Sequence, residues 1–293
     1  MTLLGDPGLI RAAARERGVD LEAVLIGSPP ASGREADDLV RAYRERKAAQ
    51  GLTEDEAREH LKDPLLCAAL QVSCGRYDGL VAGAEGLTPR VLRQLLRGIG
   101  VATGARRVSS FMLIATASEG ESRRLLIFAD GSVNPDPTAV ELAEIALRTA
   151  RGARIFLGEP PRVALLSFST RGSADHPRTR KVAEATRIVR ARAPDLIVDG
   201  ELQADAALVP EVATRKAPTS PVGGRANVLI FPDLESADIA CRMMRALTGA
   251  RTLGPILQGL ACPANVAEPD HSADDLVDLI AVTAAQATEG SRL

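Results

Sequence analysis

The sequence predicts an α/β protein with mostly parallel sheets, and three observations support that fold class. Short runs rich in Val, Ile and Leu recur along the 293 residues. Longer stretches whose apolar residues repeat with helical spacing lie between these runs. Many of the short runs end in small or polar residues. Near-continuous apolar strands separated by helices are typical of parallel sheets that are covered on both faces.

The individual elements follow from the same patterns. Candidate strands are 78–84, 108–115, 124–130, 162–168, 195–200, 227–233 and 252–257. Candidate helices are 34–49, 88–99, 137–153, 179–193, 235–249 and 272–287. In open α/β sheets, ligands bind beyond the carboxyl ends of strands. Ser167 and Ser169, which follow an apolar run, therefore either hydrogen-bond a ligand or shape the turn there.

Composition excludes several classes of protein. The net charge is -2, and only 2% of the residues are aromatic, with no Trp. A nucleic-acid or anionic-membrane partner would call for a basic surface, and base stacking would call for aromatic side chains. We see neither a signal peptide in the opening residues nor an apolar run that could span a bilayer. The expectation is a cytoplasmic protein.

Metal and redox chemistry have little support in the sequence. The four cysteines form no CxxC pair, and the three histidines are widely spaced. Buried apolar packing is the simpler interpretation of the cysteines, with Cys262 left open because it borders a candidate loop. P-loop, GxGxxG, HExxH and GxSxG motifs are also missing from the sequence. We therefore expect no metal.

The stretch CPANVAEPDHSADD, residues 262–275, raises a specific question. Ser272 and Asp275 have the spacing of a capping box, which predicts a helix start. A helix N-terminus attracts anions. The preceding loop, however, offers acidic residues and no Lys or Arg. From the residues alone, it is either an anion site without its cation or a capped surface helix.

Long motifs carry a resemblance to a known family. They include VALLSFSTRGSADHP and GPILQGLACPAN, and together they fall at 63–84, 91–96, 128–146, 163–177, 193–213, 216–235 and 254–265. In this order they resemble the phosphate acetyltransferase/phosphate butyryltransferase family over essentially the entire chain. Members of that family interconvert an acyl phosphate plus coenzyme A with acyl-CoA plus phosphate.

The resemblance implies an architecture as well as an activity. Two α/β domains of the isocitrate/isopropylmalate dehydrogenase type would enclose a cleft, with residues 1–106 plus 262–293 in the first domain and 107–261 in the second. The first domain would lack the strand and helix with which relatives usually begin. Coenzyme A or acetyl-CoA would be a substrate rather than a cofactor, and the resemblance further implies a homodimer.

Several site residues are implied by matching family positions. Asp275 matches the aspartate proposed as the base toward the coenzyme A thiol, although capping the helix is its competing role. Thr88 matches a phosphate contact. Arg93 matches an arginine facing the acyl carbonyl or phosphate, and Arg46 one near the coenzyme A phosphates. On composition alone, both arginines would be solvated charges on helix faces.

The final loop retains part of the family pattern and departs from the rest. Gln258 and Asn265 are kept. Glu268 and Pro269 replace the family's serine and phosphate-binding arginine. Arg90 stands where relatives usually carry a non-basic residue, so it has either exchanged charge with Glu268 across the cleft or is an unrelated surface change.

These departures leave two functions open. The first is a phosphate acyltransferase that works by direct transfer. The second is a catalytically impaired member that binds acyl-CoA and acts as a regulatory protein.

Overall fold

The structure is a computed structural model that describes residues 1–30, 32–83, 88–116 and 124–290, with side chains to residue 288. The strands are β1 Thr2–Leu4, β2 Leu25–Gly27, β3 Leu80–Ala82, β4 Ser109–Ala115, β5 Leu125–Ala129, β6 Arg162–Leu166, β7 Ile197–Leu202, β8 Val228–Ile230, β9 Arg251–Gln258 and β10 Ala264–Val266. The α-helices are α1 Pro7–Glu16, α2 Arg34–Arg46, α3 Glu54–His60, α4 Pro64–Ser73, α5 Pro89–Gly98, α6 Ala139–Phe156, α7 Pro177–Arg192, α8 Ala204–Leu208, α9 Pro210–Lys216, α10 Leu234–Thr248 and α11 Ala273–Gly290.

The predicted elements are present, with their ends shifted by a few residues. Ala84, the last residue of the strand predicted at 78–84, lies outside the described residues. The structure adds three strands that were not predicted, β1, β2 and β10. Each has only three residues, too few to show a period.

The prediction of a mostly parallel α/β fold is confirmed. The largest sheet has the strand order β7-β6-β8-β5-β4-β9. Its first four strands are parallel, and β4 runs antiparallel to both β5 and β9. Two short parallel pairs, β1–β2 and β3–β10, lie outside this sheet. The predicted domain boundaries stay a prediction.

The large sheet is buried on both faces. On β5, Ile127 packs into a cluster formed with α6 and α7, and its neighbour Phe128 packs on the opposite side with α10. This arrangement explains why the strands read as continuous apolar runs. The helix α11, which the sequence assigned to the first domain, contacts β9 and α6 as well as β3 and β10. It therefore packs across both groups of strands.

The short pair β3–β10 is joined to β9 through Asn265. This side chain is fully buried, and its Oδ1 accepts a hydrogen bond from the Leu257 N–H at 2.8 Å. Its Nδ2 donates to Thr283 Oγ1 and Gln286 Oε1 on α11, both at 2.8 Å. One amide therefore fixes β10, β9 and α11 relative to one another.

The helix α5 is held by close packing on α4. A Cβ atom placed on Gly98 would lie 2.5 Å from the Cβ of Ala69, so only glycine allows the two helices to approach this closely. Leu95, on the same side of α5, is fully buried. This packing determines where the residues at the start of α5 lie.

The cysteine interpretation is confirmed at two positions and wrong at a third. Cys67 and Cys241 are buried, and burial raises their pKa values to about 11 and about 12. Both are therefore protonated thiols. Cys74 is exposed because α4 ends at Ser73 and Cys74 follows it.

Candidate active site

Several of the predicted site residues follow the carboxyl ends of β3 and β10 in the chain. These strands are parallel neighbours, and the Ala267 N–H donates to the Ala82 carbonyl oxygen at 3.0 Å just beyond the paired residues. The chain after β3 leads to Thr88 and α5, and the chain after β10 leads to Ser272 and α11. The topology therefore places the starts of α5 and α11 at the same end of the pair.

The predicted capping box at the start of α11 is confirmed. The Asp275 N–H donates to Ser272 Oγ at 3.2 Å. In the other direction, the Ser272 N–H and hydroxyl donate to Asp275 Oδ2 at 3.0 and 2.7 Å. The capping role of Asp275 is therefore established by its contacts.

A cation is present at this helix start, although the loop itself supplies none. Arg251, at the beginning of β9, donates from Nη2 to Asp275 Oδ1 at 3.0 Å and lies 2.8 Å from Asp278. The hydrogen bonds from Ser272 and the Arg251 guanidinium lower the pKa of Asp275 to about 2. In this arrangement Asp275 is a weak base.

The loop 266–272 is tied to the neighbouring elements of the large sheet. The His271 Nε2 lies 3.2 Å from the Gly254 carbonyl oxygen, and Arg245 on α10 pairs with Asp270 at 2.7 Å. The Arg245 contact also lowers the pKa of Asp270. The acidic loop is thus neutralised from outside its own sequence.

The start of α5 carries three of the predicted site residues. Thr88 Oγ1 caps the helix by accepting the Val91 N–H at 3.3 Å. Arg93 is exposed, and no carboxylate in the described part of the chain pairs with it. Arg90 donates to Asp63 Oδ2 at 3.2 Å, which gives it an acidic partner other than Glu268. The charge exchange between Arg90 and Glu268 stays a prediction.

Other predicted residues lie at the opposite end of β9. Gln258 ends this 8-residue strand, whereas Arg251 begins it and pairs with Asp275. The span between the two ends matches six residue steps of β4, a separation of about 20 Å. Arg46 lies at the same end as Gln258. It donates to Ser73, its Nη1 approaches Gly100, and its charge acts on the half-buried Cys262. The structure therefore divides the predicted site residues between two positions.

The two predicted serines have different environments at the end of β6. Ser169 is fully buried, its hydroxyl donates to Glu201 Oε1 at 2.9 Å, and it accepts the Ala174 N–H at 3.1 Å. Ser167 is half-buried, and its N–H donates to the Leu202 carbonyl oxygen at 2.9 Å. Ser169 thus shapes the turn, and Ser167 remains open to a ligand.

Sequence reasoning missed two buried acidic residues, one directly after β5 and one within β7. Asp130 is buried after β5 and accepts hydrogen bonds from Ser110 and Asn134. Burial is the dominant influence on Asp130 and raises its pKa. Asp199 is buried and forms ion pairs with two arginines. Its Oδ2 lies 2.7 Å from Arg171 Nη2, and its Oδ1 lies 2.5 Å from Arg190 Nη2. The only sequence signal for either was its place inside a long motif.

Two further observations concern metals and membranes. Across residues 1–30, 32–83, 88–116 and 124–290, His, Cys, Asp and Glu side chains nowhere cluster in a group of three that could hold a metal ion. Within the same ranges, helices are too short or too polar to cross a membrane.

Fold and site together define the class of this protein. It is an α/β protein with a capped helix start that carries an acid–arginine pair, and with a second helix, following the neighbouring parallel strand, that carries an exposed arginine. Such an arrangement suits an enzyme that handles an anionic substrate.

The comparisons with known proteins give the family. The family described as "Phosphate acetyl/butaryl transferase" matches residues 1–284, and this chain belongs to it. The chain is 44% identical to a phosphate acetyltransferase from Thermoanaerobacterium thermosaccharolyticum, over 98% of this chain and 87% of the relative. It is 44% identical to one from Paracoccus denitrificans, over 96% and 92% of the two chains.

Solved structures agree with this family membership. A phosphotransacetylase from Streptococcus pyogenes superposes with a TM-score of 0.90 at 40% identity, covering 98% of this chain and 85% of that chain. A 4-hydroxythreonine-4-phosphate dehydrogenase from Klebsiella pneumoniae, at 14% identity and a TM-score of 0.51, shares the fold alone.

The contacts of Asp275 predict a pH-dependent contribution to stability. Its folded-state pKa of about 2 lies below the usual aspartate value of about 3.9. The charged form is therefore favoured by folding, and this contribution is lost as the pH falls through the folded-state pKa. We expect Asp275→Asn to lower the free energy of unfolding by about 1 kcal/mol at pH 7. The deficit should shrink below about pH 4 and fall to a small fraction of its value near pH 2, the folded-state pKa, as measured by urea unfolding.

Asp274→Asn is the matched control for this measurement. It removes a carboxylate from the same helical turn without touching the Ser272 cap, so we expect a smaller change in stability. Equal, pH-dependent losses in the two variants would show that helix-end charge, and not the specific contacts of Asp275, accounts for the effect.

Proposed function

We propose that this protein is a phosphate acetyltransferase, which interconverts acetyl-CoA and phosphate with acetyl phosphate and coenzyme A. The observation that carries the proposal is the helix start of α11, where Asp275 and Arg251 lie at the same end of the β3–β10 pair as Thr88. Family membership and the named relatives favour an enzyme over the non-catalytic alternative.

The reaction is a direct acyl transfer in a complex with both substrates. The coenzyme A thiol, with a pKa near 8.5, loses its proton to a base. Its sulfur attacks the carbonyl carbon of acetyl phosphate and forms a C–S bond. The C–O bond to phosphate then breaks, and the phosphate leaves with the electron pair. Cations near the phosphate stabilise both the developing charge and the leaving group.

The Ser272 hydrogen bonds and then the Arg251 guanidinium keep Asp275 a weak base, and of these the exposed Arg251 contact is the one that a substrate could displace. With a pKa of about 2, the paired carboxylate accepts a thiol proton very unfavourably. A phosphate group that binds the Arg251 guanidinium would release Asp275 and raise its pKa. Arg251 thereby supplies the phosphate-binding cation that Pro269 cannot, and the exposed Arg93 provides a second positive charge from α5.

The separation between the two groups of site residues fits the shape of coenzyme A. This is a long molecule with phosphates at its nucleotide end and the thiol at the other. Arg46 lies near Gln258, at the far end of β9 from Asp275. The proposal therefore places the coenzyme A phosphates at Arg46 and the thiol at Asp275, with Gln258 and Ser167 available between the domains.

Two further residues of the predicted site position the backbone around it. Asn265 is a positioning residue because all of its polar atoms bond to protein. Ser169 positions the turn after β6 through Glu201. We propose no cofactor beyond coenzyme A as substrate, no nucleic-acid or membrane partner, and a cytoplasmic location.

Turnover tests the proposed function directly. Purified protein should release thiol from acetyl-CoA in the presence of phosphate, and Asp275→Asn should lower kcat by about 100-fold or more, the size of a lost general base. Asp274→Asn, the neighbouring acid, should keep kcat within about twofold of the wild type. Calorimetric binding of coenzyme A without any turnover would refute the enzyme and favour the acyl-CoA-binding alternative. Turnover that survives Asp275→Asn would remove Asp275 as the base.

The role of Arg251 predicts a split between binding and chemistry. Arg251→Gln removes the proposed phosphate contact, so KM for phosphate should rise about tenfold or more. The same change relieves Asp275 and raises its pKa, so kcat should fall much less than kcat/KM. Steady-state kinetics with phosphate as the varied substrate measures both.

Arg245→Gln is the control for Arg251→Gln. It breaks the ion pair between Arg245 and Asp270 of the loop 266–272, whose atoms are 2.7 Å apart, and it does not touch Asp275. We expect it to leave KM for phosphate nearly unchanged. A fall in kcat with constant KM in Arg251→Gln would contradict a ground-state contact between Arg251 and phosphate.

We also propose a homodimer formed through α10. Ile239, Met243 and Leu247 recur at four-residue spacing on this helix and are 50%, 53% and 76% exposed. Large apolar side chains in a row on a surface helix mark an interaction face, and a second copy of the same face is self-complementary across a two-fold axis.

Light scattering after size-exclusion chromatography tests the dimer. The wild type should have twice the 30.8 kDa mass of the chain, and Met243→Asp should shift it to the monomer. Leu9→Asp, which places the same charge at an exposed leucine on α1, should leave the dimer intact. A monomeric wild type, or a dimer that persists in Met243→Asp, would rule out this interface.

A further inference from the structure

A groove of about 450 Å³ lies along α6 and the end of α7, apart from the loops that form the candidate active site. Arg148, Arg151 and Arg154 line it from α6, and Arg192 lines it from α7. Gly104, in the connection that leads to β4, closes one side. A concave space of this size is in the range of small-molecule sites.

Positive charge in the groove exceeds the negative charge that faces it. Arg151 and Arg154 are exposed, and across the described ranges of the chain neither forms an ion pair. Glu144 is shared, because its Oε1 lies 3.9 Å from Arg192 and 3.4 Å from Arg106. The exposed Asp195 is the other acidic residue in the lining.

The position of Arg148 shows how closely these cations are grouped. Its Nη2 donates to the Gly104 carbonyl oxygen at 3.2 Å, which holds the guanidinium at the rim. Burial, and then the neighbouring Arg151, lower the pKa of Arg148. A bound anion would relieve the repulsion between the Arg148 and Arg151 guanidinium groups.

A smaller niche of about 160 Å³ adjoins the groove and shares Arg148 and Arg151 with it. Phe111 and Phe156, with ring centroids 6.0 Å apart, give the niche an apolar wall. Gln258 also lines it. The Gln258 Nε2 donates to Ser109 and Thr149, both at 2.9 Å, whereas its buried Oε1 finds no hydrogen-bond partner in the part of the chain that the structure describes.

The arginine groove and the apolar niche together indicate the kind of ligand that would fit. Guanidinium groups recognise phosphate oxygens with two parallel hydrogen bonds, and a cluster of them favours a group with more than one negative charge. An apolar niche with a buried acceptor favours an organic body that carries an N–H or O–H donor. A buried acceptor without a partner is costly, so a donor from the ligand adds specificity.

We propose that this groove and niche form a second binding site, for a small phosphorylated organic molecule. Its phosphates would lie among Arg148, Arg151, Arg154 and Arg192. Its organic part would enter the niche against the wall formed by Phe111 and Phe156 and donate a hydrogen bond to Gln258 Oε1. The arginine groove lies away from the acyl-transfer loops, whereas the niche shares Gln258 with the proposed coenzyme A site. Occupancy of the second site does not depend on turnover.

Calorimetric titration with ATP and with inorganic pyrophosphate tests the site. ATP carries phosphates and an organic body, whereas pyrophosphate carries phosphates alone. We expect ATP to bind the wild type more tightly than pyrophosphate does. The double variant Arg151→Gln/Arg154→Gln should bind ATP and pyrophosphate about tenfold or more weakly. Its kcat and KM for the acyl transfer should be unchanged. Arg215→Gln, an exposed arginine on α9, is the control and should bind both as the wild type does.

The niche is tested separately through Gly152. A Cβ atom there would lie 3.4 Å from Phe111 and 4.0 Å from Gln258 Oε1, an ordinary contact that occupies part of the niche. We expect Gly152→Ala to weaken the binding of ATP several-fold and to leave the affinity for pyrophosphate unchanged.

Three results would overturn the proposal. The first is a lack of saturable ATP binding to the wild type. The second is ATP binding that the double variant retains in full, which would place the ligand in the active-site cleft. The third is equal affinity for ATP and pyrophosphate together with no effect of Gly152→Ala. Because binding is read without turnover, failure here is distinguishable from failure of the proposed enzyme.

Discussion

The arrangement of the site depends on the buried amide of Asn265. Its hydrogen bonds to Leu257, Thr283 and Gln286 fix β10 against β9 and α11. The β3–β10 pair has only three residues in each strand, so backbone pairing alone would define its position poorly. With β10 fixed, α11 begins beside Arg251, and the chain after β3 begins α5 at the same end of the pair. Asn265 thus acts on the geometry of the site through its contacts with the protein.

Charge at the start of α11 is the second constraint. The loop 266–272 carries two carboxylates and no Lys or Arg, next to a helix N-terminus that favours anions. The neighbouring elements supply Arg245 to Asp270 and Arg251 to Asp275. The region around Pro269 therefore carries positive charge that comes from α10 and β9 rather than from the loop itself.

The sequence predicted what is local and missed what is brought together from a distance. Alternating apolar runs and helical periods identified the strands of the large sheet, and the Ser272–Asp275 spacing identified the cap. The Arg251–Asp275 pair joins residues 24 apart in the chain, which no spacing rule connects. Arg148, Arg151 and Arg154 read in sequence as an ordinary charged helix face. Only the packing of α6 against the end of α7 turns that face into a groove.

The contacts that stabilise α11 and the chemistry proposed for Asp275 oppose each other. Every hydrogen bond and charge that favours the carboxylate strengthens the cap and lowers the pKa, which weakens Asp275 as a base. The Ser272 hydrogen bonds are internal to the helix start and remain whatever binds, whereas the Arg251 contact is exposed and can be exchanged for a phosphate. Only the arginine contact is therefore adjustable by substrate. In the proposed mechanism, such an exchange would make the base stronger when phosphate is in place, and so would couple deprotonation of the thiol to occupancy of the phosphate position.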